Sequence, residues 1–457
     1  MRSILAFFVM FSHSMLKSLL LALFEEKHAK KAILMIIDFT ISNFRSIKEK
    51  HIFSLFAEGS ANHLKNNIAY PCDNKIGILR TAGIYGANAS GKSNLLLAFE
   101  ALRYIICKSG DLKDGDLIPC YEPYLLSDST KNAPTTFEIE FSTKNKRFLY
   151  SVSFTLDKII NESLDFYPVR QKANLFNRKK GQNWENMTFG AHYKGGKKKY
   201  AFFQNNSYLS KAGNSADSPE LIRSIYNYFR SNILHLGAEQ KVQMQSWKDK
   251  PVLIQKVAQV LAKVDTGISG IEFKEEDVTG IDFPKNVPEN IKRQILSAEK
   301  KKAFFLHQDD KNNIQKFSEK IESSGTIKLF NTIPMLIEAF NEGGILILDE
   351  LDNSFHPHIA ELIIQLFNDP LVNTNNSQLI FSTHNINLMS PKILRRDQIW
   401  FTEKNNGATT LCSLAEYDKS TVKTDSPYNK WYEEGRFGAI PNIDIGKIAE
   451  ILSEGLD

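Results

Sequence analysis

Apolar and polar residues alternate through Ile36-Ile37-Asp38-Phe39-Thr40-Ile41-Ser42, which predicts a half-buried strand. Residues 52–56 and 78–84 predict two more, the second running straight into a glycine-bearing loop. From residue 92 to 107 the spacing becomes helical, with Leu95, Leu96, Phe99, Leu102 and Ile106 on one face. Residues 136–141 and 148–154 predict a strand pair joined by a polar turn at Asn145-Lys146-Arg147. Residues 175–204 differ in character. Arg178, Lys179, Lys180, Lys194, Lys197, Lys198 and Lys199 stand there among glycines, and the segment reads as an exposed basic hairpin or flexible arm. Residues 218–305 read as largely helical, with breaks at 267–270 and 284–288.

Sharp periodicity returns after about residue 306. Residues 325–340 and 359–367 have helical spacing, and 344–348 and 378–381 are apolar strands. Strand, helix, strand order with wholly apolar strands implies a parallel sheet covered on both faces, hence an α/β fold. No internal repeat or low-complexity tract interrupts it. The expected organisation is an apolar extension at 1–34 and a first lobe at 35–170. A basic arm with a helical insertion follows at 171–305, then a second lobe at 306–415 and a tail at 416–457.

Composition narrows this only slightly. The chain has 457 residues, enough for two or three domains. A net charge of +5 is mild for that length and does not by itself argue for nucleic acid. Cys72, Cys107, Cys120 and Cys412 are far apart with no CxxC pair, which suits neither a zinc site nor a disulfide framework and points to the reducing cytoplasm. Residues 4–24 are mostly apolar, which raises a signal peptide or membrane anchor. Lys17 breaks the stretch and no cleavage site follows. Met35, where strand alternation begins, is read as the natural start. An accessory helix is the third reading of residues 1–34, and a membrane partner is not expected.

Gly86-Ala87-Asn88-Ala89-Ser90-Gly91-Lys92-Ser93 satisfies GxxxxGK[ST] between a predicted strand and a predicted helix, the context a P-loop requires. Glycines let the N–H groups of Asn88, Ala89, Ser90 and Gly91 close on phosphates, and the helix start that also carries Asn94 adds a favourable dipole. Lys92 would neutralise phosphate oxygens of ATP, and Ser93 would offer its hydroxyl to Mg2+. Ile345-Leu346-Ile347-Leu348-Asp349-Glu350 is an apolar strand that delivers two acids. Asp349 would hold the metal and Glu350 would act as general base. Two acids at a strand end are also a common surface exit; the P-loop is what favours the catalytic reading.

Three further stretches choose among P-loop classes. His384 follows the strand Phe381-Ser382-Thr383 in the place of a switch histidine that senses the γ-phosphate. Leu351-Asp352-Asn353-Ser354-Phe355-His356-Pro357 is similar to a D-loop. Glu322-Ser323-Ser324-Gly325-Thr326 opens a helix and is similar to a degenerate signature, where Ser323 and the N–H groups around Gly325 would meet the γ-phosphate held by a second copy. An ordinary serine cap is the plain alternative at Ser323. AAA+ proteins lack a signature helix before the acid strand.

These stretches, with Ile41-Ser42-Asn43-Phe44-Arg45-Ser46-Ile47 and Tyr432-Glu433-Glu434-Gly435-Arg436-Phe437-Gly438-Ala439-Ile440-Pro441, resemble the AAA15/AAA21 group of ABC-type ATPases, related to RecF, SMC proteins and the ATPase half of OLD-family nucleases. The resemblance implies a P-loop NTPase of ABC type, an ATP-dependent homodimer with composite sites, and ATP hydrolysis. It also implies a place in phage defence beside a separate effector such as a nuclease or toxin. DNA maintenance of the RecF/SMC kind, with nucleic acid on the lysine cluster, is the alternative. A transporter subunit fits least, because the stretch between Ser93 and Ser323 is too long. Gln240 is the one candidate Q-loop residue. About 40 residues follow the ATPase core, too few for a TOPRIM nuclease domain.

Overall fold

The computed structural model describes residues 34–453 apart from 59–62, 73–75, 170, 196–198, 238–249, 265, 276–288, 290–291, 293–299, 354 and 441–443. The apolar extension up to residue 33, Lys197, Lys198, Gln240, Pro284, Pro288, Ser354 and Pro441 lie outside the described residues.

In chain order the elements are β1 (Met35–Ser42), β2 (His51–Ser54), β3 (Ile68–Ala69), β4 (Ile78–Leu79), β5 (Thr81–Tyr85), α1 (Lys92–Cys107), β6 (Thr135–Thr143), β7 (Lys146–Phe154), β8 (Ile159–Tyr167), β9 (Ala173–Arg178) and β10 (Thr188–Phe189). Then come α2 (Tyr208–Gly213), α3 (Glu220–Ser231), β11 (Ile233–Leu236), α4 (Pro251–Leu261), β12 (Ile268–Glu275), β13 (Lys301–Gln308), β14 (Ile314–Ser318) and α5 (Ser324–Glu342). The chain ends with β15 (Ile345–Leu348), α6 (Pro357–Asn368), β16 (Gln378–Ser382), β17 (Ile399–Asn405), β18 (Ala408–Ser413), α7 (Tyr428–Glu433) and α8 (Ile445–Ser453). Two compact units result, one from residues 232–379 and one from 35–231 with 380–457.

The larger unit carries a seven-stranded antiparallel sheet in the order β10-β9-β8-β7-β6-β1-β2. Its inner face is aromatic because alternation turns every second residue inward. Phe39 lies 4.3 Å from Phe99 of α1 and 5.7 Å from Phe137, ring centre to ring centre. Leu95, Leu96, Phe99, Leu102 and Ile106 are buried, the face that the helical spacing predicts. Each such side chain, fully buried, is worth about 1.5–3 kcal/mol. The turn between β6 and β7 falls at Lys144 (φ 48°) and Asn145 (φ 58°), one residue earlier than the expected Asn145-Lys146-Arg147. Two left-handed residues make the tight turn whose twist matches paired strands, so Lys146 and Arg147 already belong to the ladder.

The same unit holds β5, β17 and β18. Strand β17 runs parallel to β5, pairing Trp400 with Ile84, and antiparallel to β18 through a turn at Asn406-Gly407. Thr383, just past β16, donates its N–H to Ile84 O at 3.1 Å, which sets the exit of β16 beside β5.

The basic arm expected at 175–204 is not an arm at its start. Ala173–Arg178 is a strand in the sheet, and Tyr200 and Phe202 are buried. Arg178 faces Glu162 across the ladder, and each is 1% exposed. Glu162 accepts from Tyr150 OH (3.0 Å) and from the N–H groups of Tyr208 (2.6 Å) and Leu209 (2.9 Å). Arg178 donates to Asn206 O (2.7 Å) and Gln204 O (3.0 Å) and lies over the Phe202 ring. Burial pushes the Glu162 carboxyl above the usual carboxylate range, and Arg178 draws it back. Local composition could not separate Arg178 from its lysine neighbours, because its counter-charge sits on the strand before. Lys179, Lys180, Lys194 and Lys199 are exposed. Replacing Arg178 with Met is expected to cost about 3–5 kcal/mol, since Glu162 is left buried without its partner. Urea denaturation checks this, and an unchanged midpoint would contradict the pairing.

In the smaller unit β11 runs parallel to β15, pairing Ile233 with Ile345 and Leu236 with Leu348. Gln378 at the start of β16 donates to Gly344 O at 3.0 Å. Helix α5 ends at Gly343, whose left-handed φ of 66° needs no β-carbon. A second, three-stranded sheet runs in the order β12-β13-β14, and Phe305 meets Phe330 of α5 at 5.0 Å. This corrects the helical reading of residues 268–275. Their partner β13 begins beyond residue 300, so the pairing that makes them a strand is invisible to a local window.

Among the described residues no helix is long and apolar enough to cross a membrane. None of the four cysteines is in a disulfide.

Candidate functional site

The chain leaves β5 at Tyr85 and enters α1 at Lys92 through a turn that only glycine can complete at two places. Gly86 has φ 153° and Gly91 φ 114°. A β-carbon on Gly86 would stand 2.4 Å from Thr402 O, and one on Gly91 2.2 Å from Thr409 Oγ1. Ala89 is itself left-handed, at φ 60°. Asn88 and Ala89 are exposed at the crest, while Ser90, Gly91 and Lys92 are buried beneath it. Lys92 Nζ donates to Gly86 O (2.9 Å) and Ala87 O (3.1 Å), so its ammonium curls under the loop. Ser90 Oγ lies 2.6 Å from Thr402 Oγ1, and Thr409 Oγ1 lies 2.7 Å from Ser90 O. Thr402 on β17 and Thr409 on β18 therefore brace the loop, a role the sequence does not announce.

This arrangement fits phosphate. It offers main-chain N–H groups at a helix start, a lysine ammonium, and the exposed hydroxyl of Ser93. Asn94 in the first turn of α1 accepts from Arg45 Nη1 (3.1 Å) and donates to Ser46 Oγ (2.6 Å). Arg45 has φ 50° and pairs with Glu122. The stretch 41–47 is thus tied to the helix that the P-loop opens. His384 is exposed and belongs to this unit.

Asp349, Glu350, Ser323 and Gly325 belong to the smaller unit. Asp349 follows β15 and donates its N–H to Leu236 O at 3.0 Å. Glu350 has φ 52°, a left-handed backbone that costs an L-residue about 1–2 kcal/mol. Asn353 holds this turn twice: its N–H donates to Glu350 O (2.9 Å) and its amide to Glu350 Oε2 (3.3 Å). Ser323 is the N-cap of α5, its Oγ accepting from Thr326 N–H at 3.1 Å. Ser323 and Ser324 are exposed. Glu322 is paired with His307 of β13 at 2.6 Å.

Lys328 is the residue the sequence gives no reason to single out. It lies in the second turn of α5 and donates to Glu350 O (3.0 Å) and Asn353 O (2.6 Å), with its ammonium over the Phe355 ring. Burial pushes it below the ordinary lysine value, and Asp352, Glu350 and Asp349 draw it back up. The stretch Gly435-Arg436-Phe437-Gly438-Ala439 has a packing role. Phe437 and Tyr432 stack on Phe401 of β17, each at 5.5 Å, and Tyr432 OH donates to Ala439 O at 2.9 Å.

No curated protein matches the chain. Among solved structures, the SMC head domain from Thermotoga maritima is 13% identical, with 83% of this chain and 98% of that one covered and a TM-score of 0.37. The SMC head bound to the C-winged helix domain of ScpA gives 12%, 83%, 97% and 0.40. The SMC head with an extended coiled coil, bound to the C-terminal domain of ScpA derived from Pyrococcus furiosus, gives 10%, 88%, 100% and 0.38. These superpositions are too loose to carry an argument. A family model described as "AAA domain, putative AbiEii toxin, Type IV TA system" matches residues 82–390, from β5 past His384 and so through every motif named above except the opening and closing stretches. With its glycine loop between β5 and α1 and its acids after β15, the chain belongs to the AAA_21 family, α/β P-loop ATPases of the ABC type.

Proposed function

We propose that this chain hydrolyses ATP, and that an ATP-driven homodimer built from it switches a partner, as the ATPase of an anti-phage system of the abortive-infection type with a separately encoded effector. The observation that carries the ATPase part is the P-loop, with two glycine positions that admit no β-carbon and Lys92 bound under the crest. The family description, with its toxin and toxin–antitoxin terms, supports the defence part.

In this reading Asn88, Ala89, Ser90, Gly91, Lys92, Ser93 and Asn94 take the phosphates of ATP. Ser93 and Asp349 hold magnesium, which when bound offsets charge on the phosphate oxygens. Glu350 takes the proton of the attacking water, and His384 reads the γ-phosphate. Ser323 and Gly325 of the partner subunit close the site, so ATP favours the dimer and hydrolysis releases it. Residues 35–170 and 306–415 supply the ATPase lobes, and the protein works in the cytoplasm.

The test is co-expression with the neighbouring gene product. Growth arrest is expected only when both are present, together with co-purification of the two. No toxicity and no capture would overturn the defence role. A second reading, DNA maintenance, draws on the exposed Lys179, Lys180, Lys194 and Lys199. ATP-dependent DNA binding that weakens steeply with salt would favour it instead.

A further inference from the structure

We propose that Lys328 is a positioning residue for Glu350, tying the opening turns of α5 to the backbone of the turn that presents the acid. The inference rests on the ATPase reading above and deepens it.

Three observations meet at this side chain. Lys328 stands five residues past Ser323, on the helix whose start would meet the ATP of a partner subunit. Its ammonium is bonded to two main-chain carbonyls, Glu350 O at 3.0 Å and Asn353 O at 2.6 Å. Glu350 is left-handed, at φ 52°, a conformation that needs support from its surroundings.

The choice of carbonyls matters. Asp349, Glu350 and Asp352 all lie in the field of this ammonium. Its hydrogen bonds nonetheless go to the chain, so they fix where the Glu350 backbone sits while its carboxylate is met by Asn353 at 3.3 Å. Lys328 and Asn353 thus hold one acid from two sides, one through its carbonyl and the other through its carboxylate. Phe355 closes over the ammonium, with 4.9 Å from Nζ to the ring centre, and keeps it on these oxygens. A shift of the opening turns of α5 would be carried to Glu350 by this side chain. Lys328 is thereby a link by which engagement of Ser323 sets the general base.

The experiment measures steady-state ATP turnover and ATP binding, on the full chain, for Lys328→Met and Lys328→Arg, and single-turnover rates for each in a Glu350→Gln background. Lys328→Met is expected to lower kcat by about 30- to 100-fold, the scale of a displaced catalytic group. Its ATP affinity should stay within about two-fold of wild type, because the contacts that hold ATP belong to the P-loop and not to this turn. Lys328→Arg should recover most of the rate. In the Glu350→Gln background Lys328→Met should cost almost nothing further, since both changes act on one group. Wild-type turnover in Lys328→Met overturns the proposal, and so does an equal loss in both backgrounds or a parallel loss of ATP affinity. A wild-type protein that binds ATP but never hydrolyses it overturns the ATPase reading itself, and the role of Lys328 with it.

Discussion

Lys92→Ala is expected to lose ATP binding while keeping its fold. The ammonium rests on Gly86 O and Ala87 O, so the loop places a positive charge beneath the N–H groups of its crest. With a triphosphate present, that charge would form two or more charge-assisted hydrogen bonds, each worth about 1.5–3 kcal/mol. Their removal should weaken binding by about 100-fold or more. Calorimetric titration with magnesium ATP measures the change. The brace from Thr402 and Thr409 does not involve the lysine, so the loop should survive the substitution. Unchanged affinity would contradict the P-loop assignment.

Glu350→Gln is expected to bind ATP and to stall as a dimer. The substitution keeps the side chain's size, and an amide oxygen can still accept from Asn353, but the proton acceptor is gone. Loss of a general base lowers turnover by about 10²- to 10⁴-fold. If hydrolysis is what opens the dimer, the ATP-bound form must then accumulate. Gel filtration should show a dimer with ATP and a monomer without it. A variant that stays monomeric with ATP would contradict the composite site formed with Ser323 of the partner subunit.

Much of this architecture is legible in the sequence wherever the deciding information is local. Helix α1 spans the residues its spacing predicts, because Leu95, Leu96, Phe99, Leu102 and Ile106 repeat within a few turns. The apolar run Ile345–Leu348 is a buried strand and the two acids follow it directly. The turn at Lys144 and Asn145 was displaced by one residue because strand twist, not polarity, chooses the turn.

What stays illegible is long-range. Strand β12 depends on β13, and Arg178 depends on Glu162. The braces Thr402 and Thr409 come from strands more than 300 residues beyond the loop they support. Lys328 looks like any helix lysine until α5 is laid beside the acid turn. The glycine loop and the acid pair can be read because each motif concentrates its chemistry in adjacent residues. Their supporting contacts cannot be read in the same way, because folding alone brings them into reach.

In the proposed mechanism the loop at 86–93 and the acid at Asp349 serve one metal–nucleotide complex. A crystal structure of Glu350→Gln grown with ATP and Mn2+ tests it most directly, because the anomalous signal of the metal marks its position. A single Mn2+ is expected at the phosphates, coordinated by Ser93 Oγ with Asp349 in its inner or water shell. Mn2+ bound away from Asp349, or ATP bound away from Lys92, would contradict it.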